Sequence, residues 1–414
     1  MMWSEEKLRA SWAILVYVWL LGFAMFARIL CLPPIAHLMK EELSLSHGQV
    51  GLIYALPLGI LAAISVPSGL LADTIGIRKA GGMGAVIMAA GSLLTGTATS
   101  FMTLLVSTAL FGVGFSLVYP NLPKLVSVWF SQERAGVATG IYGTGIGTGA
   151  SLALTITLPV ILPITQTLAG IFYIWSLPAI AAAILWWIVV KPPALSGDGS
   201  KGQQGGVRLV SSQGVWKNMG LWIVVLCFFC NTFHFYTWSG WTPKLMMLKG
   251  ASAISAALMT SIIQWVSIPT IFLVPWLSHK LGLRKPFIWT SAIVLALASW
   301  SAMYIPLSFG WALMVIVGLA VNGTFPMMLW LPLEMVPKES VGTASGLVLS
   351  FGYTGGIVGP LLAGHIMDAT GALHLTLIIL GGLGIAWALI AFLLPETGSR
   401  ARAKRLRAER VHFR

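Results

Sequence analysis

The sequence predicts an all-α integral membrane protein, with twelve transmembrane helices arranged as two pseudo-symmetric six-helix bundles. Three observations predict it. First, the 414 residues are 57% hydrophobic and only 9% charged. A soluble domain carries about 25% charged residues, so this chain has too few charges to face water all round. Second, the apolar residues fall into twelve runs, each about long enough to cross a hydrocarbon core of roughly 30 Å as a helix. Third, a polar hinge at Gly69–Lys79 recurs 206 residues later at Pro275–Lys285. Gly76 maps to Gly282, Arg78 to Arg284 and Lys79 to Lys285, as expected of an internal duplication.

The first span runs from about Ser11 to Leu32. It is too long for a cleaved secretory signal and has no convincing small-residue cleavage site, so it reads as a membrane helix. Pro33-Pro34 and Lys40-Glu41-Glu42 mark a loop. Spans follow at about 50–71, 81–98, 101–119, 136–161 and 168–190. Lys191 to Met219 is rich in Gly, Ser, Gln and Lys and reads as a mobile linker. Six more spans follow, at about 220–241, 254–277, 287–305, 311–331, 341–365 and 372–394, before a basic tail. The expected domains are therefore an N-terminal bundle (1–190), a cytoplasmic linker (191–219), a C-terminal bundle (220–399) and a basic cytoplasmic tail (400–414).

Charge sets the orientation. With the N-terminus inside, the cytoplasmic side receives Lys7, Arg9, Arg78, Lys79, Arg134, Lys201, Arg208, Lys280, Arg284, Lys285, Lys338 and the tail; the outer side receives Lys40, Lys244 and Lys249. Both termini are expected in the cytoplasm of a plasma (bacterial inner) membrane protein. The net charge of +13 lies in short loops and the tail, so no nucleic-acid partner is expected. The partners are the lipid bilayer and a small molecule. Cys31, Cys227 and Cys230 lie in apolar runs and read as small buried hydrophobes. No cofactor, no metal site and no enzymatic nucleophile–base cluster is evident.

The 206-residue register extends beyond the hinge. Pro120 maps to Pro326, Glu133 to Glu339, Gly136 to Gly342 and Gly140 to Gly346. Parallel repeats imply a pseudo-twofold axis along the membrane normal, with a central path that the halves enclose. The same register pairs Arg28 in the first span with His234 in the seventh. A charge within a span is expensive unless it faces a cavity, so the pair suggests a central anion site. Tyr119, Asn121 and Lys124, around the proline-bent end of the fourth span, are candidate polar contributors. Tyr236, Asn322 and Trp330 are their candidates in the second half. Glu334 reads equally as an inner gate partner, a proton carrier or a helix-end charge. The aromatic seventh span reads as packing or as a frame for a flat substrate or a cation. Asp73, Gly76, Arg78 and Lys79 read as an inner latch, joined in the second half by Arg284. His279 replaces Asp73 there, so the second latch is expected to be weaker. Gly140, Gly143, Gly145, Gly147 and Gly149 bare one face of the fifth span, as if for contact between the halves.

Gly69-x-x-x-Asp73-x-x-Gly76-x-Arg78-Lys79 resembles the signature between the second and third helices of the major facilitator superfamily. The degenerate copy at Ser278–Lys285 and the glycine-rich fifth span fit that family too. The resemblance covers Ser11 to Leu394 and implies two six-helix bundles, a central substrate cavity and alternating access. Phe26-Ala27-Arg28 with Pro33-Pro34, Leu122-Pro123-Lys124, and Trp129-Phe130 before Glu133-Arg134 look like the prokaryotic cyanate and nitrate/nitrite permeases. Nitrate porters use paired arginines in the second and eighth helices. This chain has none there, so the resemblance implies a small organic anion such as a monocarboxylate, or a cyanate-like ion. The expected activity is secondary transport by a monomer, with proton coupling open. The alternatives are an organic cation (quaternary amine) transporter using the seventh helix and Glu334, or a non-transporting membrane receptor.

Overall fold

The computed structural model describes residues 5–122, 125, 130, 132–190, 213–336 and 341–398. Lys124, the linker over 191–212 and the tail over 400–414 lie outside the described residues. So do the side chains of Lys7, Arg9, Asp73, Glu133 and Arg134.

Twelve helical spans run through the described residues, one at each predicted position. In the first half they are α1 (Glu5–Leu30), α2 (His47–Thr74), α3 (Ile77–Thr95), α4 (Phe101–Val118), α5 (Gln132–Ile156) and α6 (Leu168–Val189). The second half holds α7 (Met219–Leu248), α8 (Ala253–Leu281), α9 (Lys285–Tyr304), α10 (Gly310–Met335), α11 in two pieces (Val341–Gly352 and Thr354–Thr370) and α12 (His374–Phe392). Eleven of them are long and apolar enough to cross a membrane. The exception is α3, whose first turn holds Arg78 and Lys79 and whose body holds four glycines, Gly81, Gly82, Gly84 and Gly91. Helix is the required form, because lipid cannot satisfy open backbone groups.

Side chains start several spans by accepting from the first free N–H groups. Ser46 and Gln49 form a reciprocal capping box on α2, and Ser100 and Thr103 form one on α4. Thr167, Asn218 and Ser252 cap α6, α7 and α8. Where a span breaks, side chains take over the freed groups. At the break in α11, the Thr232 hydroxyl donates to the Gly352 carbonyl at 2.6 Å.

Two boundaries differ from expectation. Pro33-Pro34 does not mark a loop: Leu32–Glu42 is a helix with proline in its first turn. Proline is tolerated there because those N–H groups have no helical partner anyway. The predicted linker also ends before 219. Gln213–Lys217 is a short helix, and Trp216 packs on Trp222 and Phe351.

The chain forms two compact units, Met1–Leu209 and Val210–Arg414. In the first, α1 packs on α5 and α3 on α4. The bare face of α5 serves this unit's own packing: a Cβ at Gly145 or Gly149 would lie 2.3 Å from the carbonyl oxygen of Trp19 or Phe23 on α1. That corrects the expectation that these two glycines join the halves. In the second unit, α7 packs on α11 and α9 on α12. The repeat persists in backbone detail. Gly76 (φ +86°) and Gly282 (φ +66°) both turn their hinges with positive φ, which favours glycine.

Candidate functional site

Arg28 lies near the end of α1 and is 1% exposed. Its guanidinium donates to Thr95 Oγ1 of α3 at 2.8 Å. It lies over the rings of Phe111 (α4, 5.5 Å) and Phe172 (α6, 5.1 Å). Among the described residues no carboxylate pairs with it, and Nε has no hydrogen-bond partner. The hydroxyls of Ser92, one turn before Thr95, and Thr108, one turn before Phe111, are buried and unpartnered too. These contacts all belong to the first unit, so the guanidinium points into that unit's interior.

His234, the repeat mate of Arg28, is 0% exposed. Nδ1 lies 2.8 Å from the Cys230 carbonyl oxygen and Nε2 lies 3.0 Å from that of Leu380 on α12. The Trp387 ring is 5.9 Å away. Arg28 and His234 thus each reach the sixth helix of their own unit, Arg28 through the Phe172 ring and His234 through the Leu380 carbonyl.

The other predicted residues are spread over the two units. Tyr119 and Asn121 lie in a 3₁₀ turn after α4. Tyr119 stacks on Phe115 at 5.2 Å. Asn121 donates to Ser68 Oγ of α2 at 2.9 Å and to the Leu117 carbonyl at 3.0 Å. In the second unit Tyr236 is buried against Phe235. Asn322 donates to the carbonyls of Ile263 (3.1 Å) and Gly318 (3.0 Å). Trp330 is 59% exposed on α10. The aromatic residues of α7 serve packing in part: Phe228 lies against Phe325 and Tyr353, and Trp241 Nε1 donates to the Pro360 carbonyl.

Both hinges are anchored to the last helix of their own unit. Arg78 donates to the Trp187 carbonyl at the end of α6, and its guanidinium lies 5.8 Å from that residue's ring. Lys79 is exposed. In the second copy Lys285 Nζ donates to the Phe392 carbonyl at the end of α12 and lies over its ring. A cation at a helix C-terminus meets the negative end of the helix dipole.

The second hinge is also pinned by carboxylates, so replacement of Asp73 by His279 does not leave it bare. Arg284 pairs with Glu334 of α10 at 3.3 Å and donates to Ser278 Oγ at 2.9 Å. Thr397 holds the other Glu334 oxygen at 2.5 Å. Glu396 accepts from the backbone N–H groups of Arg284 (2.8 Å) and Lys285 (3.1 Å), which open α9. Arg284 and Glu334 are only 18% and 13% exposed, so water screens their attraction weakly. A double-mutant cycle of Arg284→Ala and Glu334→Ala, read by unfolding in detergent, is expected to give a coupling of about 1 kcal/mol. Additive losses would show that the pair carries no interaction.

Sequence reasoning missed several polar groups. Ser92 and Thr108 gave no signal beyond being hydroxyls in apolar spans. Asn231 donates to the Val321 carbonyl (2.9 Å) and Thr324 (3.2 Å) of α10, leaving its Oδ1 unpartnered, and Gln264 donates to Ser239 at 2.9 Å. An amide in mid-span is the signal that would have found both. Among the described residues no group of three or more His, Cys, Asp or Glu is placed to hold a metal ion.

Comparisons with known proteins fit this architecture. The chain is 25% identical over 383 residues to the uncharacterized transporter YycB of Bacillus subtilis (strain 168), covering 91% of each chain. It is 22% identical over 426 residues to the hexuronate transporter of the same organism, covering 97% of this chain and 98% of that one. Its fold matches the inward-facing, occupied crystal structure of a bacterial homolog of the human lysosomal transporter Spinster. The TM-score is 0.75 at 17% identity, over 92% of this chain and 96% of that one. The family model for the Major Facilitator Superfamily matches residues 18–356 and, again, 250–413. The chain therefore belongs to the Major Facilitator Superfamily, as a multi-pass membrane transporter and not an enzyme.

Proposed function

We propose that the chain is a secondary active transporter of a small organic anion, working by alternating access with Arg28 as the charge that recognises the substrate. One observation carries this reading. Arg28 is buried in a membrane-spanning helix with no carboxylate beside it among the described residues. An uncompensated buried charge costs several kcal/mol, and an arriving anion relieves that cost. The unpartnered Arg28 Nε and the hydroxyls of Ser92 and Thr108 supply donors, and an anion takes only donors. The relative named for hexuronate, an organic anion, supports the same class. Glu334 favours an anion over an organic cation, because Arg284 and Thr397 already engage its two oxygens. We also propose that the protein works as a monomer in the bacterial inner membrane; its loop charges support a cytoplasmic position for both termini.

The test is a thermal-shift panel of carboxylates, cyanate and choline-like amines on the purified protein, followed by counterflow in proteoliposomes with each hit. Carboxylates or cyanate are expected to raise the unfolding temperature and to support saturable counterflow. Stabilisation by amines alone would overturn the anion reading. Binding without flux would make the protein a receptor.

A further inference from the structure

We propose that His234 is a proton-binding site whose proton ties α7 to α12. A carbonyl oxygen only accepts hydrogen bonds, and both imidazole nitrogens of His234 face one, Nδ1 at 2.8 Å and Nε2 at 3.0 Å. Neutral imidazole has one N–H, so either neutral tautomer sets a ring lone pair against a carbonyl oxygen. Imidazolium has two N–H groups and satisfies both contacts. The ring is fully buried, so bulk water cannot replace either partner. The Cys230 carbonyl belongs to α7 itself and the Leu380 carbonyl to α12, so neither acceptor moves without its helix. When the proton leaves, the ring keeps one carbonyl and loses the other. The contact with Cys230 is local to one turn, so the bond that lapses is the one to α12.

Among the described residues no charged side chain hydrogen-bonds the ring, so the two carbonyl acceptors are what favour imidazolium against the cost of burying its charge. Its own helix offers Cys227, Cys230, Tyr236 and Lys244. Of the helices packed on α7, α8 carries His279 and Lys280, α10 carries Glu334, α11 carries Tyr353, His365 and Asp368, and α12 carries His374. None of these side chains hydrogen-bonds the imidazole; its partners are the two carbonyls. The proton site is read from the second unit alone. Its role as the carrier of a coupling proton rests on the transport reading above.

The experiment is a titration of the full chain in lipid nanodiscs, with histidine labelled at Cε1 and both ring nitrogens. A soluble paramagnetic agent singles out His234, the one buried histidine among the described residues. A His365→Gln background removes the other histidine on an apolar span face. The buried resonance is expected to be imidazolium at pH 5 and to convert to neutral by pH 8.5, and to vanish in His234→Gln. A resonance that stays neutral, or stays charged, across that range overturns the proposal. With any anion that supports counterflow, His234→Gln is expected to cut accumulation driven by a pH gradient at least ten-fold more than counterflow. Equal losses overturn the coupling role. If no anion supports counterflow in the unsubstituted protein, the transport reading fails while the titration still decides the proton site.

Discussion

Replacing Arg28 with glutamine is expected to abolish saturable anion binding and uptake while leaving the fold intact. Removing one partner of a desolvated charge pair weakens binding by about 3 kcal/mol, on the order of a hundred-fold in affinity. The stability outcome separates function from structure. The Arg28 guanidinium donates to Thr95, and Thr95 keeps its own bond to the Gly91 carbonyl when the guanidinium is gone. An unpaired buried charge is itself destabilising, so the unfolding temperature of Arg28→Gln should equal or exceed that of the parent. Arg28→Lys should not rescue binding, because an ammonium has neither the planar fork nor the weak hydration of a guanidinium. Normal uptake by Arg28→Gln would sink the proposed function. A collapse in stability would instead make Arg28 a structural tether among α1, α3, α4 and α6.

A large loss of stability is expected from Gly91→Ala and Gly114→Ala. A Cβ at Gly91 would lie 2.2 Å from the backbone nitrogen of Phe111, and one at Gly114 would lie 2.2 Å from that of Met88. Both clashes are with backbone across the same α3–α4 contact, so no side chain can rotate away. The helices must separate by roughly 1 Å, at a cost of about 2 kcal/mol per substitution. Gly143→Ala is the control, since nothing lies within 4 Å of a Cβ there. Unfolding in detergent should place both α3–α4 variants well below the control. Gly91→Ala should also lower anion affinity, because Thr95 and Phe111, which hold Arg28, flank the displaced contact. Equal stability of all three variants would mean that the α3–α4 contact takes up the extra methyl groups at no cost.

The hinge illustrates how far sequence reading reached. Gly76 and Gly282 were legible as turn residues because positive φ leaves few alternatives to glycine, and both adopt it. Their repeat register was legible because duplication leaves a fixed offset. The partners of the second hinge were not. Glu334 lies 50 residues beyond Arg284 and Glu396 lies 112 beyond it, and nothing in the intervening chain fixes those pairings. The proposed anion site was legible in the same partial way. The repeat register singled out Arg28 in α1, but Ser92 and Thr108 became candidates only once α3 and α4 were packed against each other.

The sequence by itself determined the twelve spans, the two repeated halves and the family, because span length follows from hydrocarbon thickness and hydropathy runs along the chain. Tertiary structure alone decided the direction in which each polar side chain points. Arg28 and His234 turn into their own units, and Gly145 and Gly149 of α5 meet α1. The physical reason is rotational. A transmembrane helix that is apolar nearly all round carries little one-sided signal, so its phase is fixed by close packing against helices far away in sequence.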